Sequence, residues 1–318
     1  MIPGAVLGID TSCYTTSCAL VSLDRKVLAS IRLPLEVAVG ERGLRQSEAV
    51  FQHVRQLPRA VEEALDSALR PRVLAVCATE TPTQRTGSYM PVFAAGLSFA
   101  RVIAQVLGVP CFSTSHQQGH FASAQIGTTG LPPIHLGIHL SGGTTEVLLV
   151  QQNGLRLLLG TSDISAGQLI DRVGVALGLS FPAGPALEKL AELVRSVQGR
   201  YPAIVRERAC SFSGAEAMAL RDISKGLPAN IIAAEVFDCV CRTVLKMALV
   251  AEEATGTDAL LVTGGVASSA LFRRFMETRA SKRRMLLKLY FGQAQFSGDN
   301  AAGVAAIGVE KLSEIQEV

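Results

Sequence analysis

Two histidines, His116 and His120, stand four residues apart in a stretch that reads as a helix opened by the cap residues Ser113, Thr114 and Ser115. Side chains at that spacing share one helix face, so both imidazoles point the same way. That is the arrangement two ligands of one metal ion require; a solvated helix start is the alternative. The chain has five histidines in all: His53, His116, His120, His135 and His139. A third donor is wanted. Asp299, at the start of the last helical stretch, offers a hard oxygen. The same carboxylate could cap that helix, where it meets free N–H groups and the helix dipole; the two roles are compatible.

A second chemistry lies in hydroxyls and glycines. Leu7, Gly8, Ile9, Ser12, Thr15, Thr16, Leu20 and Val21 meet identical residues at an offset of 129. Each copy reads apolar run, small polar turn, apolar run, which is a β-hairpin pattern. The turns carry Thr11 and Ser12 in one copy and Ser141, Gly142 and Gly143 in the other. Hydroxyls and uncrowded backbone N–H groups there suit a phosphate held between two facing hairpins; a duplicated structural hairpin is the alternative. Thr263-Gly264-Gly265, followed by Ser269 and a helix, is a nucleotide-type turn in which the helix start favours an anion. Asp171, Gly184 and Glu188 flank a Pro/Gly turn, and an Asp in that place could bond ribose hydroxyls. The run from Arg273 to Lys288 also holds Arg274, Arg279, Lys282, Arg283 and Arg284. It could meet the phosphates of RNA or an acidic partner, or form a solvated basic face. No aromatic residues interleave it to stack bases.

The elements that must position these groups alternate between strand and helix. Residues 5–33 read as a three-stranded meander, 47–69 as a helix bent or divided at Pro58, and 73–78 as a buried strand. Residues 80–91 read as a loop, 93–107 as a helix, and Cys111-Phe112 as the start of a strand. A link over 127–133 separates two lobes, 1–131 and 132–298. The final helix, 299–318, completes the first lobe. In the second, 134–159 is another meander, 165–179 and 183–198 are helical, and 201–214 is less regular. Helix follows around 228–255, strand over 258–263, helix over 269–280 and strand over 286–291.

Composition bounds the rest. The 318 residues are 48% hydrophobic and 18% charged, with a net charge of +3. Such a chain buries a sizeable core of parallel strands under helices. No apolar run is long enough to span a bilayer, and the opening residues show no basic signal region. Seven cysteines form no C-x-x-C pair, which points to reduced thiols and a cytoplasmic protein. Cys13, in the first turn, reads as a packing residue.

Taken in order, the motifs resemble one family over nearly the whole chain. They are Gly8-Ile9-Asp10-Thr11-Ser12-Cys13, His53, Ser115-His116-Gln117-Gln118-Gly119-His120, Leu140-Ser141-Gly142-Gly143, Ser165-Ala166-Gly167 with Asp171, Phe181-Pro182-Ala183-Gly184-Pro185, Phe212-Ser213-Gly214, Gly264-Gly265-Val266 and Gly298-Asp299-Asn300-Ala301. Together they are similar to the tRNA N6-adenosine threonylcarbamoyltransferases, once called the glycoprotease family. The resemblance implies an α/β, two-lobed actin/hexokinase/Hsp70-like (ribonuclease H-like) fold closing on a nucleotide. It implies one divalent metal ion (iron, zinc or magnesium) held by His116, His120 and Asp299. The implied activity moves threonylcarbamoyl from threonylcarbamoyl-AMP to N6 of adenosine 37 in tRNA. Ser141, Gly142 and Gly143 would contact phosphate or the threonyl group, while Asp171, Gly184, Gly264 and Gly265 would hold the adenylate or ATP. Implied partners are tRNA, a smaller paralogous subunit and an ATPase of the tRNA-modification machinery, with no membrane.

Several positions depart from that pattern. Tyr14-Thr15 stand where the family carries an Asp-Glu pair, and Glu80-Thr81-Pro82-Thr83 replace its Gly-Pro-Gly loop. Thr144 replaces a His, Gln168 a Glu, and Ser269 an Asn that often contacts the nucleotide. The alternative reading is therefore a non-catalytic nucleotide- and metal-binding paralogue that assembles with or regulates the true transferase, or a related carbamoyltransferase. No H-E-x-x-H helix is present to support a metallopeptidase.

Overall fold

The computed structural model of the chain describes residues 4–12, 14–37, 44–151, 154–282, 286–298 and 301–316. The chain divides into two compact units. One joins Met1–Gly127 to Gly298–Val318; the other is Thr128–Ser297.

In the first unit, β1 (Gly4–Thr11), β2 (Thr15–Ser22) and β3 (Val27–Pro34) form an antiparallel meander. Strands β4 (Arg72–Thr81) and β5 (Cys111–Ser115) extend it in parallel, giving the order β3-β2-β1-β4-β5. Parallel strands need cover on both faces, and β1 shows how this is met. Leu7 and Ile9 pack with Leu57 of α1 (Gln46–Ser67) and Ala100 of α2 (Pro91–Leu107). Val6 points the other way, onto Val304 and Ala305 of α9 (Ala302–Gln316). Helix α3 (His116–Gln125) follows β5 directly. Gly8 is what lets α9 lie so close. A Cβ there would stand 2.4 Å from the Ala301 carbonyl oxygen and 2.6 Å from the Ala305 nitrogen.

The second unit repeats the meander as β6 (His135–Leu140), β7 (Thr145–Gln151) and β8 (Gly154–Thr161). The offset seen in the sequence holds in the register: Leu7 faces Leu20, and Leu136 faces Leu149. Strands β9 (Ile204–Arg206), β10 (Ala209–Ser211), β11 (Ala259–Thr263) and β12 (Lys288–Phe291) complete the order β12-β11-β6-β7-β8-β10-β9. Helices α4 (Ala166–Ala176), α5 (Gly184–Ala191), α6 (Ser213–Ser224), α7 (Ala229–Thr255) and α8 (Ala270–Lys282) accompany them.

Several elements differ from the sequence expectation. Strand β4 runs on through Glu80 and Thr81, which had read as loop. Helix α1 runs through Pro58, so it is not divided there. Helix α5 stops at Ala191 rather than near 198. The chain beyond it is held as irregular backbone by α7: Glu235 accepts the Arg200 amide proton at 2.7 Å, and Lys246 donates to the Ala203 carbonyl at 2.6 Å. Helix α6 and the short strands before it were not foreseen. Asp163, from a distant loop, accepts the Phe212 and Ser213 amide protons at the start of α6, a contact that local sequence does not announce. Among the described residues, no helix is long and apolar enough to cross a membrane.

Candidate functional site

The first cluster lies where β1, β4 and α3 meet. Ser115 and Gln118 form a capping box that fixes the start of α3. His116, the next residue, places Nδ1 3.1 and 3.0 Å from the two carboxylate oxygens of Asp10. Asp10 is only 1% exposed, and Thr79 donates to its Oδ1 at 2.7 Å. A carboxylate only accepts, so His116 carries its proton on Nδ1. His116 Nε2 then lies 3.0 Å from His120 Nε2, with the rings edge to face. Two ring nitrogens converging from one helix face suit a shared cation, and imidazole donors favour iron or zinc over magnesium. Among the described residues no group of three such side chains could hold an ion. Asp299, the expected third ligand, lies outside the described residues, as do Cys13, Asn300, Arg283 and Arg284. Sequence reasoning did not single out Asp10. Its signal was a carboxylate near the end of an otherwise apolar and hydroxyl-bearing strand.

The first hairpin turn is tied down rather than open. Thr11 Oγ1 donates to the Val92 carbonyl at 2.9 Å and accepts from the Gly96 amide at 3.2 Å, so its hydroxyl serves the start of α2. The Ser12 amide bonds the Thr15 carbonyl at 3.1 Å. The Ser12 carbonyl receives His53 Nε2 at 2.8 Å, and His53 Nδ1 lies 2.8 Å from Thr16 Oγ1. His53 thus links α1 to the turn. Burial pushes its pKa below the ordinary histidine value, while the Ser12 carbonyl and the Asp10 charge pull the other way.

The second turn is built by its own side chains. Ser141 Oγ accepts from the Gly143 and Thr144 amides at 3.2 and 3.1 Å. With both lone pairs engaged, its proton turns to Thr144 Oγ1, 3.1 Å away. Thr144 Oγ1 in turn meets His139 Nδ1 at 2.9 Å. Helix α4 docks on this turn: the Gly167 amide bonds the Ser141 carbonyl at 3.1 Å, and Ser165 Oγ donates to the Gly142 carbonyl at 2.9 Å. A Cβ on Gly167 would stand 2.5 Å from that Ser141 oxygen, so only glycine fits.

A cavity of about 380 Å³ opens beside the second turn. Its lining includes Gly142, Asp171, Gly184, Glu188, Gly265 and Ser269. Gly264 stands just behind it at φ +99°, where a Cβ would meet the Leu140 carbonyl oxygen at 2.3 Å. Asp171 Oδ1 accepts the Ala183 amide proton at 2.8 Å, and Glu188 Oε1 accepts that of Leu271 at 2.9 Å. The other oxygen of each carboxylate has no hydrogen-bond partner among the described residues. Ser269 Oγ accepts from the Phe272 amide at 3.0 Å and keeps its proton to give. The cavity therefore offers two carboxylate acceptors and one hydroxyl donor, a set suited to a ligand bearing hydroxyls.

The basic run reads differently in three dimensions. Arg273 donates to the Ala267 and Gly292 carbonyls, each at 2.6 Å, and lies over the Phe291 ring. Arg279 pairs with the buried Asp238. These two arginines hold the fold together rather than presenting a nucleic-acid surface.

With this geometry in view, the family model for tRNA N6-adenosine threonylcarbamoyltransferase, TsaD, matches residues 27–306. The chain belongs to the TsaD family. A relative from Thermus thermophilus, named tRNA N6-adenosine threonylcarbamoyltransferase, is 36% identical over 309 residues, covering 94% of this chain and 90% of its own. A Thermosipho africanus protein of the same name is 29% identical, covering 95% and 93%. Solved structures agree on the fold. T. kodakarensis HypF superposes with a TM-score of 0.65 at 15% identity, over 98% of this chain and 48% of its own. Component A of the Acidaminococcus fermentans (R)-2-hydroxyglutaryl-CoA dehydratase gives 0.62 at 16% identity, over 97% and 99%. A ROK hexokinase from Thermus thermophilus gives 0.53 at 16%, over 98% and 99%. The fold is thus the actin/hexokinase/Hsp70-like one.

Proposed function

We propose that this chain is a cytoplasmic transferase that moves the threonylcarbamoyl group of threonylcarbamoyl-AMP to N6 of adenosine 37 in tRNA. The N6 nitrogen bonds to the carbamoyl carbon, the carbon–oxygen bond to the phosphate breaks with AMP leaving, and N6 releases one proton. The observation that carries this reading is the match to the TsaD family over residues 27–306.

The site residues divide the work. His116 and His120, with Asp299, would hold a divalent cation, which would supply Lewis-acid polarisation of phosphate or carbamoyl oxygens. Asp171 and the Gly264-Gly265 turn, with Gly184 and Ser269, hold the adenylate. The unpaired oxygen of Asp171 accepts a ribose hydroxyl proton, and Ser269 gives its own. Gly142 and Gly143 bring backbone close to the acyl phosphate, and Ser141 shapes their turn through its two accepted amide protons. Thr11 and Ser12 set the first turn. A smaller paralogous subunit and an ATPase complete the machinery with tRNA.

Purified protein, supplied with iron or zinc, threonylcarbamoyl-AMP, tRNA and those partners, should yield modified adenosine by nucleoside mass spectrometry. No product under any such combination would sink the transferase reading.

A second reading rests on the first turn. Tyr14, 50% exposed, and Thr15 stand where the family carries its acidic pair. The chain is then a non-catalytic nucleotide- and metal-binding paralogue that assembles with the true transferase, or a related carbamoyltransferase. ATP binding without turnover, together with co-purification with a second TsaD-family chain, is the outcome that favours it.

A further inference from the structure

We propose that Asp10 is a positioning residue for the cation site: it fixes the His116 ring and leaves Nε2 as the donor toward an ion shared with His120. The proposal deepens the metal-dependent reading above and rests on it.

Three observations carry it. First, His116 Nδ1 sits almost equally far from both Asp10 oxygens, 3.1 and 3.0 Å. The carboxylate therefore selects one tautomer and holds the ring against rotation. A histidine ligand whose second nitrogen meets a carboxylate is both oriented and made more basic toward the metal. Second, Asp10 cannot swing away. It stands on β1, between β2 and β4, and Thr79 of β4 grips Oδ1 at 2.7 Å. A rigid strand is a better base for such a group than a loop.

Third, the charge needs an answer. A carboxylate 1% exposed must be compensated. Among the described residues no lysine or arginine forms an ion pair with it; His116 is its one cation-capable partner. His116 Nε2, on the side of the ring away from Asp10, lies 3.0 Å from the Nε2 of His120. A divalent cation held by the two Nε2 atoms would place positive charge across the His116 ring from the buried carboxylate. The buried carboxylate would supply negative charge behind the ligand, through the imidazole ring.

The test uses the full chain, stripped with chelator and titrated with Zn²⁺ against a chromophoric competitor. Co²⁺ is the spectroscopic probe. Wild type binds one Zn²⁺, and His116→Ala does not. Asp10→Asn keeps the size and an acceptor for His116 and Thr79 but loses the charge. It should bind Zn²⁺ roughly ten- to hundred-fold more weakly, with shifted Co²⁺ absorption bands. Asp10→Asn with wild-type affinity and spectrum overturns the role of Asp10 and leaves the metal reading standing. Wild type that binds neither Zn²⁺, Co²⁺ nor Fe²⁺ overturns both. A variant-free measurement guards against misfolding: ¹⁵N NMR of metal-free wild type should show His116 protonated at Nδ1 and unprotonated at Nε2. The opposite tautomer overturns the proposal.

Discussion

Asp163 accepts the amide proton of Ser213 at 3.0 Å, and so caps α6 from a loop fifty positions away in sequence. Ser211 and the Phe212 amide bond the same carboxylate. Burial works to raise its pKa, but the hydrogen bonds from Ser211, Ser213 and the Phe212 amide outweigh it and hold the carboxyl well below the usual carboxylate range. A pKa depressed in the folded state stabilises the fold above the unfolded carboxylate pKa, and that contribution is lost as pH falls through the lower, folded value. Asp163→Ala should cost about 1 kcal/mol at neutral pH in urea unfolding. It should also flatten the acid limb of the stability profile.

His53 makes a second pH-dependent contribution, with its window at higher pH. Burial lowers its folded pKa from 6.5. Below 6.5 the unfolded chain takes up a proton more readily than the folded one, so stability falls on acidification until the folded pKa is passed. His135 is shifted in the same direction by burial. His53→Asn should lose about 1–3 kcal/mol at neutral pH, from broken buried hydrogen bonds. Its stability should also fall less between pH 6.5 and 5 than that of wild type. An unchanged slope would show that His53 does not titrate there.

Gly264 tests whether the second-lobe turn tolerates any side chain. Its φ of +99° and the 2.3 Å approach of the Leu140 oxygen leave no room for a Cβ. Gly264→Ala should destabilise the protein by about 2 kcal/mol or more. It should also weaken nucleotide binding, since the displaced turn lines the cavity. A thermal melt and a calorimetric titration with ATP check the two effects separately.

Asp171 and Glu188 separate binding from capping. Asp171→Asn keeps an oxygen for the Ala183 amide but turns an NH₂ into the cavity. ATP should bind about ten-fold more weakly, with little change in melting temperature. Asp171→Ala should lose both. Glu188→Ala uncaps α8 at Leu271, so its first effect should be on stability. Equal ATP affinity in Asp171→Asn and wild type would remove Asp171 from the ligand site.

Much of this was legible because local chemistry and tertiary role coincide. The duplicated hairpins were visible because the period of two and the turn residues are local, and the register preserves their offset of 129. His116 and His120 were visible because helical spacing alone puts them side by side. What stayed hidden depends on contacts far apart in sequence. Asp10 matters through a residue on α3, α6 through a cap on another loop, and the end of α5 through side chains of α7. Arg273 and Arg279 read as a basic face because sequence cannot show that the first bonds backbone carbonyls and the second a buried aspartate.

Helix α9 follows the whole second unit in sequence, yet it covers a face of the sheet that begins at Gly4. During synthesis on the ribosome, Val6, Val21, Ala75 and Cys77 must wait with that face bare until Val304 and Ala305 emerge. The second unit is continuous in sequence and has no such wait. The lobe begun before the second unit is therefore finished after it, and its open sheet is the surface a nascent-chain chaperone would shield.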